Sequence, residues 1–421
     1  MKLQSSMDAD VIVVGAGPAG SATAAQLAKD GLRVLLMDKS VAPPPKVCGE
    51  YLSPGCLPIL DRLGALKSIQ DAGARSLHGM LIHSAGGRTL RAAYPEKPNS
   101  EGTRPHALSV SRTSLDPLLL DLAVKNGATF EASFQVSDVL WQDGRVSGVQ
   151  RKDRGRLVTR RAPFTVGADG RHSVIARRIG AARPHPRLDR MAIVAYLSGA
   201  RREEEVGEIF LGCDRYAILN PVASDLTNIG LVVNRRDLPR GQDPRRLVWS
   251  IAASLPGLAD RLTSATMVAP ARCLGPLAHR ATRLATPGAL LVGDAAGFLD
   301  PFTGEGIYTA LRSAELAAAH ILASIRGGPV PPTLSNYPEA WQREFASKWR
   351  LASLLQHAIR RPWLAEALVA YLSTRPTAAS AFMAAFGDLL SPEDLQPVRL
   401  LSSLRSGTAG RSVLGRPTAQ G

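Results

Sequence analysis

Val11-Ile12-Val13-Val14-Gly15-Ala16-Gly17-Pro18-Ala19-Gly20 is the stretch that decides the fold. Four consecutive apolar residues read as a strand buried on both faces. The GxGxxG directly after them opens a helix that runs to Asp30, where Gly31 supplies a C-terminal cap. A second apolar run over residues 33–37 completes strand, turn, helix and strand, the unit of an α/β, Rossmann-type domain. Each glycine has its own task. Gly15 permits the tight turn, Gly17 lets a pyrophosphate approach the backbone, and Gly20 lets the helix pack closely on the sheet. The helix N-terminus offers unpaired N–H groups and partial positive charge to phosphates. Asp38 ends the second strand 18 residues after Gly20, where a carboxylate accepts hydrogen bonds from both ribose hydroxyls and disfavours a 2′-phosphate.

Around this unit lies a chain of 421 residues with 51 Lys+Arg against 36 Asp+Glu, a net charge of +15. That length suits two or three domains. With 45% hydrophobic and 21% charged residues, disorder is excluded for most of it. No apolar stretch reaches about 18 residues, and residues 11–14 are too short for a signal peptide. A cytoplasmic protein is predicted, at most peripheral to a membrane. Cys48, Cys56, Cys213 and Cys273 form no CxxC pair, so neither a metal site nor a disulfide framework is expected. The positive charge raises nucleic acid as a partner, but the arginines are scattered in pairs such as Arg160-Arg161 and Arg360-Arg361, and only 5% of residues are aromatic. Little is left for base stacking, which argues against it. An anionic cofactor, an acyl carrier or a membrane surface suits the charge better.

Further along, residues 41–58 are rich in Pro and Gly and read as an ordered loop, followed by a helical pattern through Leu60, Leu63 and Leu66. From Leu77 to Tyr94 the period is two, with a hairpin turn at Gly86-Gly87. A helix is expected over 114–126, then short strands around Asp143-Gly144. Strands follow at 191–198, 206–211, 216–222 and 228–233, a helix at 244–255 and a strand at 267–273. A strand at 289–292 leads to an alanine-rich helix over 304–325, and beyond Pro338 the pattern is helical. The organisation expected is a discontinuous cofactor domain (1–75, 105–182, 276–335) with an interleaved β-sheet substrate domain (76–104, 183–275). A helical C-terminal region (336–405) and a disordered tail (406–421) complete it. The pattern Trp349, Leu351, Leu354, Leu355, Ile359, then Trp363, Leu364 and Leu368 is amphipathic; core packing is the first reading, membrane contact or a roof over a greasy substrate the second.

Two further segments repeat one arrangement. Val166-Gly167-Ala168-Asp169-Gly170-Arg171-His172-Ser173 and Leu291-Val292-Gly293-Asp294-Ala295-Ala296-Gly297 each set an acid at the carboxyl end of a strand, where open α/β sheets bind ligands. With GxGxxG they resemble, in order and spacing, the flavoproteins of the p-hydroxybenzoate hydroxylase fold, over about the first 330 residues. The resemblance implies FAD, with Gly15, Gly17, Pro18, Ala19 and Gly20 at the pyrophosphate, Asp38 beside Lys39 at the adenosine ribose, and backbone at Val136 near adenine. It also implies Arg112 on the pyrophosphate side, Asp169 and Gly170 close by, and Gly293 and Asp294 at the ribityl chain. A helix N-cap is the plain alternative for Asp169 and Asp294. Reduced flavin gathers negative charge near N1, which a glycine-lined helix N-terminus stabilises. Pro301, Gly304, Glu305, Gly306 and Ile307 are therefore placed under the flavin ring.

Lys46-Val47-Cys48-Gly49-Glu50-Tyr51-Leu52-Ser53-Pro54 resembles the geranylgeranyl-reductase branch, in which a Cys-Gly loop lies near the flavin. Gly297 and Thr303-Gly304-Glu305-Gly306-Ile307 follow that branch too, rather than the aromatic hydroxylases. Cys48 and Gly49 thus join the cofactor contacts, and Cys48, Glu50 and Tyr216 are the candidate catalytic residues. Packing of a small residue is the other reading of Cys48. Arg215-Tyr216-Ala217-Ile218-Leu219-Asn220-Pro221 departs from that branch's aromatic substrate strand, and no halogenase-like WxWxIP is present. His78, His83 and His106 are candidate bases, with a satisfied surface or core role as the plainer reading. The expectation is an FAD- and NAD(P)H-dependent oxidoreductase, monomer or homodimer, acting on an isoprenoid, polyketide or alkylated aromatic that is free, carrier-borne or membrane-associated. Monooxygenation with O2 stands ahead of C=C reduction, with halogenation and a redox-inactive binding protein behind.

Overall fold

The computed structural model describes residues 7–95, 104–185, 188–239, 241–327 and 334–392. The expected tail at 406–421 lies outside the described residues. Val11–Val14 is wholly buried near the middle of a six-stranded sheet. Across that sheet the order is Ala285–Thr286, Ala289–Leu291, Phe164–Gly167, Val11–Val14, Val34–Met37, Thr129–Glu131. All neighbours are parallel except the first pair. Parallel strands bury both faces, which is why these segments are continuous apolar runs. The helix Pro18–Lys29 packs against Arg112–Lys125 and Gly306–Arg326, and its Ala22, Ala24, Ala25 and Ala28 keep the approach close. Because the strands run one way, the segments after residues 14, 37, 167 and 291 emerge at the same sheet edge.

A second sheet of eight strands carries the alternating pattern. The hairpin Gly79–His83 and Thr89–Ala93 joins Gly207–Leu211 in parallel, followed by Tyr216–Ala223, Leu226–Asn234 and Arg190–Ser198. One face, including Ile193, Leu197, Leu219, Ile229 and Leu231, packs under the helix Pro244–Ala253. The other presents Ala192, Ile209, Leu211, Tyr216 and Val232 to the C-terminal helices Tyr337–Ile359, Pro362–Ser373 and Pro376–Phe386. Leu355, Ile359, Val369, Leu372 and Met383 fill that interface, so the amphipathic C-terminal pattern is a roof on the sheet. The turn after the last helix reaches back to the first domain, where Gly55 N–H donates to Gly387 O (2.9 Å), and to the helix Tyr337–Ile359, where buried Lys348 pairs with buried Asp388.

Three local expectations need correction. Residues 41–58 are not all loop: Tyr51–Leu52 pairs antiparallel with Ala107–Ser109, and the helix Cys56–Leu63 starts inside the segment. The partner strand is remote in sequence, so no local pattern marks the pairing. The strand expected at 267–273 is two short ones, Thr266–Met267 and Arg272–Leu274, with Pro270 between them unable to donate to a ladder. The alanine-rich helix begins at Gly306, because Gly304, at φ +69°, ends a separate 3-10 turn over Pro301–Thr303. Among the described residues no helix is long and apolar enough to cross a membrane.

Candidate active site at the parallel sheet edge

Steric exclusion shapes the glycine turn. A Cβ on Gly15, at φ +104°, would stand 2.4 Å from Ala168 O, and one on Gly20 would stand 1.8 Å from Gly15 O. A Cβ on Gly17 would meet no protein atom within 4 Å. Two glycines thus let the protein close on itself, and the third leaves bare backbone for a ligand. The helix behind it begins at Pro18, with no side-chain cap and no acid in its first turn, so its positive end is not compensated by the protein. The Asp38 carboxylate accepts N–H bonds from Ala16 and Ser40, both 2.8 Å, and ties the turn to the second strand. A carboxylate has about four acceptor sites, so capacity for a ribose remains. Lys39 is exposed beside it, and Phe134 N–H donates to Asp38 O (2.8 Å), which draws the segment holding buried Val136 alongside.

The two acid–glycine motifs differ. Asp169 supplements a cap: its Oδ2 accepts from Val174 N–H (2.6 Å) in the first turn of the helix Val174–Arg178, whose N-cap is Ser173. Its Oδ1 is buried without a protein partner, and burial raises its pKa. Gly170 follows at φ +74°. Asp294 sits in the turn Gly293–Ala295 and has no capping bond there. Burial pushes its carboxyl up, while His279, Arg112 and Arg171 pull it back. An orphaned carboxylate oxygen, a second acid and an uncapped helix end around bare backbone fit a dinucleotide whose phosphates and hydroxyls would complete them.

Where the two sheets meet, the segment Cys48–Glu50 is held by side chains. Asn220 Nδ2 donates to Gly49 O (2.7 Å) and Asn228 Nδ2 to Cys48 O (3.1 Å). Glu50, left-handed at φ +56° and fully buried, accepts Arg112 N–H (3.0 Å) and the Tyr196 hydroxyl on Oε1, while Oε2 has no protein partner. Tyr196, Asn228 and Asn220 stand directly opposite one another on three adjacent strands, on the face that carries Tyr216. Burial raises the Glu50 carboxyl and the Cys48 thiol, so both favour their protonated forms. Cys48 Sγ accepts Glu50 N–H at 3.3 Å. Arg112 is committed by two bonds to Asp116, 2.5 and 2.6 Å, which fixes its guanidinium at the loop.

Tyr216 is fully buried and donates its hydroxyl to Asp300, which also accepts Phe302 N–H (3.0 Å). Burial pushes Asp300 up to about 6, with buried Arg190 opposing; Arg190 pairs with Asp214 at 2.6 Å. Next along, Gly304 lies against the Tyr51 ring, which a Cβ would approach to 2.6 Å. Glu305 is pushed up to about 7 by burial and by Asp388, with Lys348 opposing. Gly306 and buried Ile307 start the long helix, and Pro301 the short turn before it. Beside Phe302 is an apolar cavity lined by Ile82, Leu211, Leu355, Val369 and Phe382.

The glycine turn, Asp38, Asp169 and Asp294 therefore share one edge. Glu50 and Cys48 lie in the interface with the second sheet, and Tyr216 is tied to the segment that leads to Gly304. His83 belongs elsewhere: it stacks on Phe210 (4.3 Å) and meets Glu208 (3.2 Å), which Arg261 also pairs. His78 and His106 face each other with ring centroids 6.0 Å apart. Sequence reading misses Tyr196, Asn228 and Arg190, and it gives no role to Asn220 or to Asp300, which opens the segment ending at Ile307. Polar residues inside otherwise apolar strand runs were the available signal, since a buried polar group needs a partner.

Comparison with known proteins agrees with this arrangement. Residues 8–348 match the family described as FAD binding domain. The chain is 28% identical to menaquinone reductase of Mycolicibacterium smegmatis over 410 residues, 92% of this chain and 93% of that protein. It is 24% identical to a Pseudomonas fluorescens chlorinase of pyrrole-2-carbonyl groups on a peptidyl-carrier protein, over 81% of this chain and 82% of that one. Among solved structures, a flavoprotein/dehydrogenase from Cytophaga hutchinsonii superposes with a TM-score of 0.81 at 21% identity, covering 95% and 98% of the two chains. A geranylgeranyl bacteriochlorophyll reductase-like protein from Thermoplasma acidophilum gives 0.75 at 23% identity, covering 94% and 99%. The chain belongs to the FAD binding domain family, the FAD-dependent oxidoreductases built on the p-hydroxybenzoate hydroxylase fold.

Proposed function

We propose that this protein uses FAD and NAD(P)H to reduce a carbon–carbon double bond in a hydrophobic, isoprenoid-like substrate. The observation that carries the reading is the pair of buried Glu50 and half-buried Tyr196 beside Cys48, a set of proton-bearing groups at the junction of cofactor edge and substrate sheet. Bound FAD, once reduced by NAD(P)H, would supply a hydride, an electron pair with its proton, to one carbon of the double bond. Gly15–Gly20, Asp38, Asp169 and Asp294 would hold it, with Gly304–Ile307 against its ring. Burial raises the Glu50 carboxyl and the Cys48 thiol, which favours a proton on each, and with the Tyr196 hydroxyl these groups are the candidate proton donors to the second carbon. Asn220 and Asn228 keep that loop in place by binding its carbonyls. The apolar side chains beside Phe302 support the exclusion of water from this junction.

The likeness to menaquinone reductase, which runs over nearly all of both chains, supports reduction over oxygenation. The absence of WxWxIP supports neither halogenase reading. The test is to reduce the holoenzyme with NADH or NADPH under anaerobic conditions and mix it with menaquinone or a polyprenyl lipid. Flavin colour returning without O2, with a product heavier by two hydrogens, is the expected result. An 18O label from O2 in the product would establish oxygenation instead.

A further inference from the structure

We propose that the corner between the helices Tyr337–Ile359 and Pro362–Ser373 docks the protein on an anionic lipid bilayer. The idea deepens the hydrophobic-substrate reading and rests on it for its purpose. Side chains at the corner separate by face. Leu355, Ile359, Val369 and Leu372 point into the protein. Leu354 and Trp363 point out, 68% and 69% exposed. Single exposed apolar residues are ordinary on a protein surface; two large ones on adjoining turns of a basic corner are a pattern.

Charge makes the second half of the case. From residue 345 to 387 the chain carries Lys348, Arg350, Arg360, Arg361 and Arg375 but one acid, Glu366. Lys348 is buried against Asp388. Glu366 is taken up by Arg88 (2.8 Å) and Gly86 N–H (3.2 Å). Arg360 comes no nearer than 3.9 Å to Asp214, which Arg190 already holds at 2.6 Å, and Arg361 meets His357 and no carboxylate. Arg360 and Arg361 therefore flank Trp363 with no carboxylate of the described residues nearer to either than 3.9 Å. An indole settles at the headgroup level of a bilayer, and arginines reach lipid phosphates while their stems cover apolar surface. Since no described helix can span a bilayer, the contact is peripheral. The same two helices line the apolar cavity from above through Leu355, Ile359 and Leu368.

The test is cosedimentation of the full chain with vesicles of phosphatidylcholine, and of phosphatidylcholine mixed with phosphatidylglycerol. Binding is expected to be several-fold stronger to the mixed vesicles and to weaken with salt. Leu354→Ser with Trp363→Ser should reduce it by about tenfold, and Trp363→Ser alone by part of that. Arg360→Gln with Arg361→Gln should remove the preference for phosphatidylglycerol. Trp141→Ser, at an exposed tryptophan on another sheet, should bind as the wild type does. Unchanged thermal unfolding midpoints separate lost docking from lost folding. Wild type that sediments with neither vesicle, or a double serine variant that binds undiminished, overturns the proposal. So does salt-sensitive capture of an acidic carrier protein that needs the arginines while vesicles stay unbound. Because binding is read without turnover, its failure leaves the reductase reading standing.

Discussion

The Gly15–Gly20 turn and the Cys48–Glu50 loop both belong to the candidate site, yet they are held by opposite means. The turn is shaped by what is missing: side chains on Gly15 or Gly20 would collide with backbone 2.4 and 1.8 Å away. The loop is shaped by what arrives from elsewhere, since Asn220, Asn228 and Tyr196 reach it from the second sheet. A site made of backbone is closed by its own neighbours in sequence. A site held by remote side chains exists only once both domains have met.

The largest effect should come from Gly15→Ala. An L-residue in the left-handed region costs about 1–2 kcal/mol before the overlap with Ala168 O is counted. The variant is expected to be purified colourless, with a lowered unfolding midpoint; flavin released in stoichiometric amount on denaturation would refute this. Gly17→Ala sharpens the point, because its Cβ meets no protein atom. It should keep the apoprotein's stability and lose FAD affinity, as titration with FAD would read. If apoprotein stability falls as far as in Gly15→Ala, the separation between closing the turn and approaching the ligand is lost.

Smaller effects belong to the loop. Asn228→Ala removes the donor to Cys48 O and should cost about 1–3 kcal/mol in denaturant unfolding, the range for a buried group left unpaired. Tyr196→Phe should cost about 1 kcal/mol, because Arg112 N–H still donates to the same Glu50 oxygen. Its turnover should fall much further than its stability; equal, small losses in both would reduce Tyr196 to a packing role. The last effect is a slope. Asp300 titrates at about 6 in the fold against 3.8 for the free side chain, so the unfolded chain gives up this proton first as pH rises. The stability tied to it is complete below about 4 and is lost as pH climbs to about 6. Asp300→Asn removes that loss, and its unfolding midpoint relative to wild type should rise through this window. A flat or falling difference would contradict the burial of the carboxyl.

What could be read from sequence follows the same division. The glycine turn, Asp38 and the two acid–glycine motifs are each set by spacing within one strand–turn–helix unit, so local pattern carries their chemistry. Tyr196 contacts Glu50 across 146 positions, and the two asparagines reach their carbonyls across 171 and 180. No period or motif encodes such pairings. Tyr216 was singled out on its strand, but its partner Asp300 is 84 positions away, and only the packed structure ties the hydroxyl to a carboxyl. The strand Tyr51–Leu52 escaped for the same reason, its partner lying beyond a hairpin and a whole strand. Asp169 shows the converse: the motif was legible, while the choice between cap and ligand contact was not, and the structure gives one oxygen to each possibility.

The bond from Gly55 to Gly387 ties the first domain to the end of the last helix, and Lys348 against Asp388 fastens that end to the helix Tyr337–Ile359. During synthesis the chain emerges from its N-terminus, so the glycine turn and its sheet partners up to Phe164–Gly167 are available early, whereas these ties cannot form until residue 388 has left the ribosome. The wall of the candidate site around Ser53–Gly55 is thus completed from the far end of the chain, and its final geometry is a property of the finished polypeptide.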